Sequence, residues 1–105
     1  MTKNNNKEFN SFASFYPYYL SEHKNKICRR LHFAGSTVVL VLLFYIIFSA
    51  QWSLLWLLPV AGYGFAWIGH FFFEKNKPAT FQYPLYSLMG DWVMYKDMIC
   101  AKVPW

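Results

Sequence analysis

The chain carries three histidines, His23, His32 and His70. Imidazole titrates near neutral pH and binds divalent metals through either ring nitrogen, so clustered imidazoles make a candidate metal or acid–base centre. His32 and His70 stand equally far in sequence from Gln51, and Glu74 follows His70 by four residues. If the chain reverses near Gln51, two antiparallel helices place both imidazoles at one level. The four-residue spacing then sets Glu74 on the His70 face. Two or three imidazoles with one carboxylate, leaving coordination positions open, suit non-haem Fe(II), which must bind oxygen and a substrate together. Zinc with an activated water is the nearest alternative. His23 precedes His32 by nine residues, which puts the two on opposite sides of an unbroken helix. It joins the site only if the helix breaks, and Asn25 is the candidate break. Asp91 is a candidate partner that orients a histidine.

The elements that must position these residues read as membrane helices. Between Arg30 and Glu74 the chain has no Asp, Glu, Lys or Arg. A hydrocarbon core about 30 Å thick takes roughly 20 helical residues to cross. That predicts spans over about 31–50 and 52–73, with Pro59 kinking the second. Gly62 and Ala66 extend the His70 row toward the membrane centre with Gly69 beside it, while Gly35 and Ser36 follow His32. Such small-residue faces let two helices approach closely. Aromatic-rich 9–20, with Pro17, predicts a short interfacial helix. Pro84 fits the first turn of a further helix over about 84–100. There Leu85, Leu88, Met89, Trp92 and Ile99 recur at helical spacing opposite Ser87, Gly90, Asp91 and Asp97. The expected fold is an all-α integral membrane protein, an antiparallel transmembrane helical hairpin with flanking interfacial amphipathic helices. Residues 1–10 are expected to be a disordered lead-in and 11–105 a single membrane domain.

Composition supports this class and excludes others. At 56% hydrophobic and 23% aromatic residues, the 105-residue chain is too apolar for an ordinary soluble domain. The net charge of +5 sits in a collar, Lys24, Lys26, Arg29 and Arg30 before the first span and Lys75 and Lys77 after the second. It forms no stripe of the kind nucleic acid needs. A collar on one side, with an uncharged tip at 49–53, predicts both termini in the cytoplasm and contact with anionic lipid headgroups. Cys28 and Cys100 fall on that reducing side and match no zinc spacing, so no disulfide is expected. Phosphate loops, serine-hydrolase elbows and Cys-x-x-Cys pairs are absent. Blander roles compete. Histidines at a membrane boundary often only bind headgroups or water, Glu74 has Lys75 and Lys77 as ion-pair partners, and small-residue rows serve packing. A haem- or quinone-binding electron-transfer hairpin using His32 and His70, and a non-catalytic membrane adaptor, are the other functional readings.

Four strings carry a resemblance: Phe-Tyr-Pro-Tyr-Tyr-Leu-Ser-Glu-His (15–23), Cys-Arg-Arg-Leu-His-Phe-Ala-Gly (28–35), Gly-Tyr-Gly-Phe-Ala-Trp-Ile-Gly-His-Phe-Phe-Phe-Glu-Lys-Asn-Lys-Pro-Ala-Thr-Phe (62–81) and Ser-Leu-Met-Gly-Asp-Trp (87–92). Together they resemble the 2-hydroxy fatty acid dioxygenases, a family of small membrane proteins, in its short bacterial branch. The resemblance spans roughly 12–97. It implies Fe(II)-dependent α-oxidation, in which a 2-hydroxy fatty acid and molecular oxygen give a fatty acid one carbon shorter and carbon dioxide. The family's motif histidines match His23, His32 and His70, and its acidic positions match Glu74 and Asp91. The implied catalytic set is thus the three histidines with Glu74, and the implied metal ligands add Asp91. Arg29 or Arg30 is the candidate partner of the substrate carboxylate. The bacterial branch implies an inner-membrane location. Longer members of the family carry extra hydrophobic segments, so a homo-oligomer is one way for the short form to enclose an acyl tail.

Overall fold

The computed structural model describes residues 9–105, so most of the expected lead-in lies outside the described residues. Phe9, at its end, packs its ring against Phe15, Tyr18 and Tyr83. The described chain is helical without strands. Helix α1 (Phe12–Ser21) starts on Ser11, whose hydroxyl accepts from the Ser14 amide at 3.2 Å. Helix α2 (Lys26–Ser49) starts on Asn25, whose side-chain oxygen accepts from the amides of Ile27 and Cys28. Asn25 is therefore the break that separates His23 from the His32 helix. Ala50, in the left-handed region at φ 56°, ends α2, and a 3-10 turn (Trp52–Leu54) leads into α3 (Leu57–Ile68).

Pro59 lies in the first turn of α3, just after the 3-10 turn, where its missing N–H interrupts no bond within α3. The real irregularity comes at the other end, where Gly69–Glu74 form a π-helical turn closed by Lys75 at φ 62°. Wide turns of this kind recur at functional sites. Here it carries His70.

Contacts run in opposite directions along α2 and α3. Gly35 meets Phe65 and Gly62, Gly62 meets Val39, and Gly69 meets Cys28, an antiparallel pairing through the small-residue faces. A Cβ on Gly69 would lie 3.0 Å from the Cys28 sulfur and 3.2 Å from its Cα. Glycine is what lets the π-turn close on α2 beside His32.

Helix α4 (Pro84–Ile99) starts on its proline as expected, after a short 3-10 turn (Ala79–Phe81). Its two faces divide as the apolar periodicity divides them. The small and polar residues Ser87, Gly90 and Asp97 are buried with Met94 and Met98, while Leu85, Leu88, Met89 and Ile99 point outward, Leu85 at 67% exposure. The inner face packs on α1. Tyr16 donates to Asp97 at 2.8 Å, and Gly90 admits the Tyr19 ring, which a Cβ there would meet at 2.8 Å. Phe15, Tyr19, Ala79, Met94, Met98 and Val103 form the core.

The two runs Lys26–Ser49 and Trp52–Glu74 are long and apolar enough to cross a bilayer, and only 22% and 17% of their most apolar windows are buried. Val41, Phe44, Phe48, Trp56, Val60 and Phe72 all face outward.

Candidate metal centre

Three elements bring the histidines together. His23 comes from the link after α1, His32 from the second turn of α2, and His70 from the π-turn. All three are buried, at 1%, 6% and 2% exposure, and one ligating nitrogen of each lies within 4.8 Å of the others. The rings stand edge to face, with centroids 4.5 Å apart for His23–His32 and His23–His70 and 4.9 Å for His32–His70.

Hydrogen bonds at the back of each ring fix which nitrogen faces inward. His23 Nδ1 donates to the Tyr19 carbonyl at 2.6 Å, His32 Nδ1 to the Cys28 carbonyl at 2.9 Å, and His70 Nδ1 to the Asn76 side-chain oxygen at 2.7 Å. Asn76 is itself oriented, because its NH2 donates to the Glu22 backbone carbonyl and carboxylate. Carbonyl oxygens only accept, so each Nδ1 carries the proton and each Nε2 presents a lone pair. The Nε2 atoms of His23 and His32 stand 3.2 Å apart with no proton between them. Lone pairs this close repel unless a cation lies between. Two nitrogens about 2.1 Å from one ion are separated by roughly 3.0–3.4 Å, so the observed spacing fits a shared divalent metal. Burial, and then the neighbouring His32 and His70 imidazoles, hold His23 well below the ordinary imidazole range, which keeps it neutral and able to ligate.

The remaining predicted site residues stand outside this cluster. Glu74 is outside the group of three histidines. Its carboxylate instead accepts from the Asn25 amide at 2.6 Å and supports the start of α2. Asp91 sits behind the histidines, accepting the Tyr19 hydroxyl, and the Tyr19 ring stacks on His23 at 4.0 Å. Burial pushes the Asp91 carboxyl up to about 7, against the lowering effect of the Tyr19 hydrogen bond. Neither arginine lines the two cavities that adjoin the histidines. Arg29 donates to the carbonyls of His23, Lys24 and Pro104, and Arg30 lies 5.1 Å from the Trp105 ring. Sequence reasoning missed Tyr19 and Asn76 as supports. Asn76 sits inside the recognised string six residues after His70, the one signal that could have pointed to it.

A cavity of 280 Å³ opens from His32 and Asp91 along Ser36, Val39, Leu58, Pro59 and Gly62, with Leu88 and Trp92 on its α4 side. Its wall is mostly apolar and its histidine end polar. An ion held there has an oily cleft on one side and neutral nitrogen ligands around it, an arrangement able to present an amphiphile's head group to a metal.

The family model described as "2-hydroxy-palmitic acid dioxygenase Mpo1-like" matches residues 9–103. No curated protein and no solved structure matches the chain.

Proposed function

Since the chain belongs to the Mpo1-like family, we propose that it is an Fe(II)-dependent dioxygenase of 2-hydroxy fatty acids, embedded in a bilayer by an α2–α3 hairpin. The observation that carries the reading is the convergence of three inward-facing, unprotonated imidazole nitrogens at the polar end of an apolar cavity. The reaction balances as a 2-hydroxy acid plus dioxygen giving the acid one carbon shorter, carbon dioxide and water.

His23, His32 and His70 hold the metal. When bound, Fe(II) supplies a redox-active centre with open positions for oxygen and an α-hydroxy acid. Tyr19, Cys28 and Asn76 lock the imidazole tautomers through Nδ1, so no ring must reorient to ligate. The acyl chain lies along Val39, Leu58 and Pro59, and its head group reaches the His32 level. From His32 to Val39 is seven residues of helix, roughly 10 Å. A long tail therefore continues past Leu88 and Trp92 into lipid. Asp91, on the cavity wall and poised near neutrality, takes the proton of the substrate's 2-hydroxyl on Oδ2, while Tyr19 holds Oδ1. Arg29 and Glu74 are structural in this scheme.

The outward apolar faces of α2, α3 and α4 support membrane insertion, and the basic collar supports a cytoplasmic histidine end. A haem would need a flat slot between two axial rings. Here His32 and His70 stand edge-on, and His23 fills the angle between them, which favours one small ion.

The test is conversion of 2-hydroxyhexadecanoate by iron-loaded protein in membranes under air and under argon. Pentadecanoate formed only under air, and only with the histidines intact, is the expected result. No product from folded, iron-loaded protein would overturn the substrate assignment.

A further inference from the structure

The acyl cavity changes character along its length. At the histidine end its wall is made of buried residues, among them His32, Ser36 and Ala66. At the far end the wall includes Pro59 and Leu88, which are exposed. A space closed at its polar end and open at its apolar end fixes a head group and lets a tail run out. The closed part is short. From Ala66 back to Leu58 is eight residues of α3, roughly 12 Å. An extended chain advances about 1.2 Å per bond, so this length takes roughly ten carbons. The volume agrees, since 280 Å³ holds about nine methylenes if each fills about the 30 Å³ of a water molecule.

Gly62 stands halfway along the α3 wall, one turn from Ala66 on one side and one turn from Leu58 on the other. Its packing does not require glycine. A Cβ on Gly62 would meet Val39 Cγ2 at an ordinary 3.5 Å, whereas one on Gly35 would press on Phe65 at 2.8 Å. Val39 lines the cavity as well, so a larger side chain at position 62 would grow into the space the tail uses. Glycine inside a helix is otherwise a weaker choice than alanine. Here it keeps the cavity continuous from its closed end to its mouth.

We propose that Gly62 sets the acyl-length specificity of the site. By carrying no side chain it leaves open the passage from the head-group end to the mouth, so 2-hydroxy acids of about ten carbons and longer are accepted alike. The inference rests on the oxygenase reading and deepens it by naming the substrate class, long-chain 2-hydroxy acids as a group and no single length. Carbons beyond the mouth touch none of the walls that hold the carbons before it, so adding them changes little. Gly62 determines which tails fit and has no part in holding the metal.

The test compares tails of different length on one protein. Affinity is measured by calorimetry on anaerobic Fe(II)-loaded protein in detergent, with the long acids at a fixed mole fraction in the micelles, and conversion is measured afterwards in air. Wild type should bind 2-hydroxydodecanoate, 2-hydroxyhexadecanoate and 2-hydroxyicosanoate within about threefold of one another, because only methylenes inside the cavity meet its walls. G62F should weaken all three roughly tenfold or more, since a misfit of even one methylene in an apolar pocket costs that much. 2-Hydroxybutanoate is too short to reach Gly62, one turn or about 6 Å from Ala66. The ratio of its affinity to that of 2-hydroxyhexadecanoate should therefore rise roughly tenfold or more in G62F. A wild type that favours one of the long acids more than about tenfold over the others, or a G62F with the wild-type ratio, would overturn the role of Gly62. Conversion of 2-hydroxyhexadecanoate in air would then leave the oxygenase reading standing. A wild type that binds and converts none of the acids would overturn both. The wild-type length series needs no variant, and G62A, whose methyl meets Val39 at ordinary contact, should shift the ratio the same way in smaller degree if G62F misfolds.

Discussion

The two ends of α2 are built for different surroundings. At the turn end, Phe44, Ile47 and Phe48 point outward, Phe48 at 84% exposure, and Ile46 is the buried residue of that stretch. At the histidine end, Cys28, His32, Gly35 and Ser36 are buried, and the π-turn and α4 close around them. One helix thus passes from an exposed apolar surface to a packed polar core. Rigid geometry is concentrated where the imidazoles are, which is where a metal site needs it. The turn end needs only length and apolarity.

The largest expected effect breaks the difference directly. His32→Ala should lower Fe(II) affinity more than 100-fold, measured by competition with a chelator, because it removes a ligand that Cys28 pre-orients. Next, Asn76→Leu should cost 10–100-fold in the same titration by freeing the His70 ring, although Asn76 touches no metal. The glycines sharpen the contrast. Gly69→Ala forces a methyl against Cys28 and should destabilise by roughly 1–3 kcal/mol in denaturant melts. Gly64→Ala, with nothing within 4 Å of the new Cβ, should be neutral or stabilising by up to about 1 kcal/mol. Glu74→Gln should cost about 1 kcal/mol as a weakened helix-start contact while leaving Fe(II) affinity within about threefold. A 100-fold loss there would return Glu74 to the ligand set.

The smallest effect is a pH dependence. In the metal-free protein the folded chain holds the Asp91 proton up to about pH 7, whereas the unfolded chain releases it near the ordinary carboxylate value of 3.8. The folded state binds more protons across that window, so Asp91 makes stability fall as pH rises from about 4 to 7. His23, depressed by burial, acts in the opposite sense and makes stability rise with pH through the ordinary imidazole range. Asp91→Asn should remove only the first trend. The stability gap between mutant and wild type should widen, by on the order of 1 kcal/mol, between pH 5 and pH 8.

Much of this was legible in the sequence because it depends on counting residues. Equal spacing of His32 and His70 about Gln51 put them at one level, and Asn25 announced the break that admits His23. The small-residue faces around Gly35 and Gly62 meet as their spacing implied. The side of α4 that faces inward was not legible from apolar periodicity. Periodicity divides a helix into two faces and does not say which of them its neighbours cover. The π-turn was hidden because nothing in Gly69–Glu74 distinguishes a wide turn from an ordinary one. Asn76 acts through its hydrogen bond to His70, which only three-dimensional placement reveals.

The central claim is that His23, His32 and His70 together hold one iron ion. X-ray absorption on the anaerobically loaded Fe(II) protein, comparing wild type with His23→Ala, tests it most directly. The account predicts one iron per chain with three imidazole nitrogens in the wild type and two in the variant. The same imidazole count in both proteins would contradict it.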